Sequence, residues 1–300
     1  MTDRDILRRC GLTEIVTPTW TVAEDARGYA AGGFGTIGIW LHKLERPHID
    51  AFWIPEQTIS ADVVAAAADA VRTAGLDVSH LVLSGFYTEP ELSDRIAHTL
   101  HAMDVAAALN AGCVVIAPGR RNGRSYEDTR DLAARALSEV FERTANQGVR
   151  LALEPIISWQ SDYLNTLGEA LDLADLVDHP NLGVYPDTFH LWRTGTLLED
   201  IARAGSRIFG VHLNDAVDGD DHHNRLPGAG EIPLVEVVRA IEATGYQGTY
   251  DNEYMYDPAL IAAAPAAFAP EAVVRRCAEA MVATLREAGL TAPEATPVAG

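Results

Sequence analysis

Glu154 in LALEP, Asp187 in LGVYPDTFH, His212 in IFGVHLND and Glu253 in GTYDNEY each stand at or near the C-terminal end of a short apolar run. A carboxylate or imidazole in such a run is costly unless its charge is compensated. Four of them at equivalent places in four successive runs point to one shared compensation. Three carboxylates and one imidazole make a site for a single divalent cation of the Mn, Mg, Co or Zn type. The oxygen-rich set favours Mn, Mg or Co over a closed structural zinc site, with Mn as the first expectation.

Such convergence requires strands whose ends meet. The apolar runs predict strands at 14–20, 36–41, 78–85, 113–118, 150–156, 182–188, 208–215 and 248–254. Helical patterns lie between them, such as ADVVAAAADAVRTAG (61–75) and TRDLAARALSEVFERTANQG (129–148), the latter closing on a glycine suited to a helix C-terminus. Eight strand–helix pairs in 300 residues predict an α/β fold, a (β/α)8 TIM barrel in one domain over 1–288, with 289–300 as a flexible tail. In that fold the C-terminal strand ends share one mouth. A doubly wound open sheet would not bring four consecutive strand ends around one ion so readily. Two connections exceed what a barrel needs: HKLERPHIDAFWIPEQTIS after the second strand and MYDPALIAAAPAAFAP after the eighth. Both start at the mouth and carry aromatics, including Phe52 and Trp53, and both read as loops that cover a substrate.

The stretches GVRLALEPI, NLGVYPDTFHLW, GVHLNDA and RLPGAGEIPL resemble the xylose isomerase-like barrels, over nearly the whole chain. That group includes inosose isomerase, D-tagatose 3-epimerase, 3-dehydroshikimate dehydratase and endonuclease IV. The resemblance implies that Glu154, Asp187, His212 and Glu253 bind one metal, that Glu154 and Glu253 are catalytic, and that His190 and Arg225 contact substrate. It implies a divalent-metal-dependent isomerase or epimerase of a small sugar, ketose or inosose, with no organic cofactor. The two glutamates would move a proton beside a metal-polarised carbonyl. The alternative is a metal-dependent lyase or dehydratase acting on an oxo-sugar, such as the catalytic subunit of a C-glycoside deglycosidase, which needs a small second subunit. There are departures. Relatives of inosose isomerase carry E-P-L-H where this chain has Glu154-Pro155-Ile156-Ile157, and often Asp where it has Asn224. Trp159, with Trp20 and Trp192, offers flat faces to a substrate instead.

The remaining classes fare less well. Endonuclease IV adds ligands after its seventh strand, where Asp221 and His223 stand here, but also takes histidines from earlier strand ends. Here the third and fourth strands end in Ser84-Gly85 and Ala117-Pro118-Gly119, and His80 falls within its strand. Asp215 reads as an indirect partner of the metal site. With 43 acidic against 23 basic residues and a net charge of -20, the surface repels a phosphate backbone. A non-catalytic binding module conflicts with the intact four-ligand set. Cys10, Cys113 and Cys277 include no CxxC and read as reduced core residues. The charged N-terminus, MTDRDILRRCG, lacks an export segment, and the expectation is a cytoplasmic protein with a carbohydrate or cyclitol substrate, no nucleic acid or membrane partner, and room for homo-oligomers.

Overall fold

The computed structural model describes residues 2–44, 58–89, 91–117, 119–144, 148–255 and 268–290. Eight strands lie in one parallel sheet: β1 (Cys10–Thr13), β2 (Thr36–Trp40), β3 (Asp77–Gly85), β4 (Val114–Ala117), β5 (Leu151–Leu153), β6 (Leu182–Val184), β7 (Val211–His212) and β8 (Tyr250–Asn252). The ladder runs β6-β5-β4-β3-β2-β1-β8-β7. The remaining seam is bridged in parallel at Val184 with Ile208 and at Asp187 with His212, so the sheet curls into a barrel. The strands are apolar on both faces because both are covered. Helices Val22–Ala31, Ala61–Ala74, Leu92–Leu109, Tyr126–Arg143, Leu167–Val177, Leu197–Ala204, Leu234–Ala243 and Pro270–Ala288 each follow a strand. Each packs on the next, and the last packs back on the first. Thr21 with Glu24 and Thr166 with Glu169 form capping boxes that fix where two of these helices begin.

Two sequence expectations move. The first strand is Cys10–Thr13, not 14–20; Glu14–Val16 is a 3₁₀ turn. β1 is paired on both sides, to β2 and β8. A strand over 14–20 would place Pro18, which lacks an N–H, in a doubly bonded position. The turn matters, because Glu14 Oε2 accepts the Trp40 N–H (2.9 Å) at the end of β2. The fourth of these helices spans Tyr126–Arg143 rather than 129–148. Ser125 caps its start, accepting from Asp128 N at 3.0 Å, and its end at Thr144 precedes Gly148. At the other end of the chain, Gly289 closes the last helix and Leu290 is buried. Among the described residues no helix is long and apolar enough to cross a membrane.

Behind the ends of β1 and β2 sits a buried charge cluster. Lys43 Nζ, fully enclosed, donates to Asp25 Oδ2 (2.5 Å), Glu14 O (3.1 Å) and Thr17 O (3.0 Å). It ties the two strand-end turns to the helix Val22–Ala31.

Candidate metal centre

Strand alternation decides which side chains reach the barrel interior. Asp251 and Glu253 share the inner face of β8, and Tyr185 and Asp187 share that of β6. Glu154 follows β5 directly, its N–H bonded to Ile116 O (3.0 Å). Asp187 caps the short helix Thr188–Leu191, accepting from Phe189 N at 2.7 Å. His212 ends β7, its N–H on Pro186 O (3.0 Å). Glu253 follows β8, its N–H on Asn214 Oδ1 (3.0 Å). One ligand atom from each of the four lies within 4.8 Å of the others, and all four residues are buried.

The electrostatics of this cluster call for a cation. Burial, with the nearby charges of Glu154, Asp187 and Asp251, pushes the Glu253 carboxyl up to about 8 against the pull of His212. Burial also raises Asp187, with Glu154 adding to the effect. Burial alone would favour neutral His212, yet Glu253 and Glu154 raise it to about 10. Its Nδ1 lies 2.7 Å from Glu154 Oε1 and 3.3 Å from Glu253 Oε2. Three buried carboxylates and one imidazole this close together give a hard, oxygen-rich donor set that fits a divalent ion.

The surrounding residues sort the other expectations. His190 Nε2 is 3.9 Å from Asp187 Oδ2 with its side chain nearly buried, and its Nδ1 has no hydrogen-bond partner among the described residues. Arg225 is engaged by its own loop: Nη2 on Asp220 Oδ2 (2.6 Å) and Nη1 on the carbonyls of His223 and Asn224. That loop is stitched to the cluster through Asn224, whose Nδ2 donates to Glu253 O (2.8 Å) and whose Oδ1 accepts from Met255 N (3.0 Å). An aspartate could not donate the first of these bonds, which gives the Asn a structural reason. Trp159 is 47% exposed, its Nε1 on Asp221 O (2.7 Å) and its ring 4.5 Å from that of His222. Trp20 and Trp192 pack against the core. Phe52 and Trp53 lie outside the described residues.

Asp215 is not a partner of the cluster. Its carboxylate accepts four backbone N–H bonds, from Ala216, Gly228, Gly230 and Ile232. It lies three residues past the inward His212, so alternation turns it away. Asn214 does the work expected of it, donating to Asp187 at 3.1 and 3.3 Å while its Oδ1 receives Glu253 N. Asp221 pairs with Arg193, and His223 with Asp220 (3.0 Å), so neither adds ligands. Sequence reasoning missed His80, Tyr185 and Asp251, which form a buried polar layer under the cluster. The spacing i−2 from Asp187 and from Glu253 was the available signal for two of them.

The family description of the xylose isomerase-like TIM barrel matches residues 29–281. The chain belongs to that family. Inosose isomerase of Halalkalibacterium halodurans is 29% identical over 158 residues, 50% of this chain and 56% of that one. Ketose 3-epimerase of Arthrobacter globiformis is 26% identical over 238 residues, covering 76% of this chain and 78% of that one. Matched segments span 60% of fructoselysine 3-epimerase of Escherichia coli O157:H7 and 39% of a D-psicose 3-epimerase of Ruminiclostridium cellulolyticum. Among solved structures, the IOLI protein with a binding zinc atom superposes at a TM-score of 0.79 with 20% identity, over 93% of this chain and 98% of that one. Related proteins are thus sugar isomerases and epimerases, and this chain carries a cluster able to hold a metal ion.

Proposed function

We propose that this protein is a divalent-metal-dependent isomerase or epimerase of a small ketose or inosose, with Glu154, Asp187, His212 and Glu253 as ligands. One observation carries the reading: four ligand side chains from four strand ends have donor atoms within 4.8 Å of one another at the barrel mouth. A bound divalent ion, manganese by preference, would polarise a substrate carbonyl and acidify the neighbouring C–H. Glu154 and Glu253 both reach His212 Nδ1, from Oε1 and Oε2 respectively, so the two carboxylates flank the same point. One removes the proton beside the carbonyl and the other returns a proton, giving epimerisation from opposite faces or isomerisation when the return is to the adjacent carbon. His190, whose Nε2 stands 3.9 Å from Asp187 Oδ2 at the edge of the cluster, is placed to meet a substrate oxygen. Arg225, anchored by Asp220, supplies a cation beside the developing charge. Trp159 presents an exposed indole face to the distal part of the substrate.

The lyase reading rests on the same cluster. An oxo-sugar bearing a β-substituent would lose it after the same proton removal, and Trp159 would then suit an aromatic leaving portion. The test is incubation of manganese-reconstituted protein with ketoses, inososes and 3-oxo-glycosides in deuterated water. Deuterium in a product of unchanged composition supports the isomerase. Release of a substituent replaces it with the lyase. Turnover retained in Glu253→Gln overturns both.

A further inference from the structure

Beneath the cluster, inside the barrel, His212 Nε2 lies 3.2 Å from His80 Nε2. On the far side of the His80 ring, Nδ1 lies 2.9 Å from Tyr185 Oη and 3.0 Å from Ser79 Oγ. Both hydroxyls are committed elsewhere as donors. Tyr185 donates to Asp251 Oδ2 and Ser79 to Asp251 Oδ1, each at 2.8 Å. Thr249 and Thr36 complete the acceptance on that carboxylate at 3.1 and 3.3 Å. His80, Tyr185 and Asp251 have no more than traces of exposure.

Hydrogen-bond directions follow one from the next. The Tyr185 and Ser79 protons point at Asp251, so both oxygens turn lone pairs toward His80, and His80 Nδ1 must carry the proton between them. The ring's Nε2 is then bare. Two ring nitrogens at 3.2 Å share one proton, so it belongs to His212 Nε2. That leaves His212 Nδ1, which faces Glu154 and Glu253, as the nitrogen available to a metal.

We propose that Asp251, Tyr185, Ser79 and His80 form a positioning relay that fixes the His212 tautomer and aims its Nδ1 lone pair into the ligand cluster. This rests on the metal-site reading above and extends it to residues that touch neither metal nor substrate. A general rule supports it: a metal-bound imidazole whose second nitrogen is held by a partner binds more tightly than an unheld one. Here a neutral imidazole, itself oriented from a buried carboxylate, holds it. The barrel interior is shaped for this layer. A Cβ on Gly38 would overlap His80, one on Gly210 would overlap Tyr185, and one on Gly11 would overlap Asp251. Each polar member thus lies against a residue without a side chain on a neighbouring or facing strand. Packing alone would be met more simply by aliphatic residues at all six positions.

Long-range proton–nitrogen NMR of the ¹⁵N-histidine-labelled protein reads both tautomers directly. The expected result is His80 protonated on Nδ1 with bare Nε2 in metal-free and zinc-loaded protein, and zinc-loaded His212 protonated on Nε2 alone. A proton on His80 Nε2 in either state overturns the relay. A protein that binds no zinc overturns the metal reading instead, and the His80 tautomer still decides the relay. Zinc titration then tests the consequence. His80→Leu should weaken zinc binding by about ten- to a hundredfold, and His80→Gln, whose amide oxygen accepts the same proton, should recover most of it. Equal affinities in parent and His80→Leu, or equal losses in the leucine and glutamine variants, would refute it.

Discussion

Loading the cluster with a divalent ion should expel protons, and the number is set by the structure. Metal-free Glu253 titrates near 8 and His212 near 10. Near neutral pH both are therefore protonated in the folded chain, and both must be bare to act as ligands. From Glu253 and His212 together, binding one ion releases about two protons near pH 7 and about one near pH 9, where Glu253 has already ionised. The apparent affinity rises about a hundredfold per pH unit below 8 and about tenfold per unit between 8 and 10. The sign for stability follows. Both folded values lie above the ordinary 4.5 and 6.5, so the folded metal-free chain binds more protons than the unfolded one. For these groups, stability falls as pH rises, from 4.5 to 8 for Glu253 and from 6.5 to 10 for His212. The metal-free protein should melt at lower temperature on going from mildly acidic to alkaline buffer, and manganese should flatten that slope. Calorimetric manganese titration in buffers of different ionisation enthalpy counts the protons released. Binding without proton release near pH 7 would refute the assignment of Glu253 and His212 as ligands.

Further outcomes follow from named contacts. His190→Ala and Arg225→Ala should retain near-parental metal content by elemental analysis while losing turnover, since neither belongs to the four-donor set; either variant purifying metal-free would reverse its assignment. Lys43→Met leaves Asp25 buried without its cation and should cost about 3–5 kcal/mol in denaturant unfolding; a loss under about 1 kcal/mol would show that water reaches the cluster. Asn224→Asp sets a carboxylate oxygen against Glu253 O in place of a 2.8 Å donated bond, and should lower kcat more than it raises KM; unchanged kcat would show that this stitch does not position Glu253. Trp159→Ala, at an exposed ring, should raise KM with an unchanged melting temperature, and the converse pattern would make Trp159 a packing residue.

The primary structure carried a good deal of this protein in local terms. Glu154, Asp187 and His212 were legible because each is an ionisable interruption of an apolar run, and Glu253 because it closes the eighth strand segment behind Asp251 and Asn252. The barrel was legible because the alternation of such runs with amphipathic segments repeats eight times. Both signals depend on neighbours within a few residues. The errors arose where local pattern is silent. The run from Cys10 to Val16 has no alternation to mark where strand gives way to turn, and only the pairing of β1 with β2 and β8 placed the boundary at Thr13. Asp215 and Asn214 are adjacent polar residues, and which one faces Asp187 depended on the phase of β7. The polar layer was the least legible. His80, Tyr185 and Asp251 each read as an ordinary polar residue in or beside a strand, and Gly11, Gly38 and Gly210 as ordinary small residues. The hydrogen bonds that join them span 66 and 105 positions of chain, and the one from Ser79 to Asp251 spans 172. Curling the sheet into a closed barrel sets side chains from distant strands within 3 Å or so of each other. Sequence alone determined which residues are costly to bury; only the closed barrel decided which of them compensate one another.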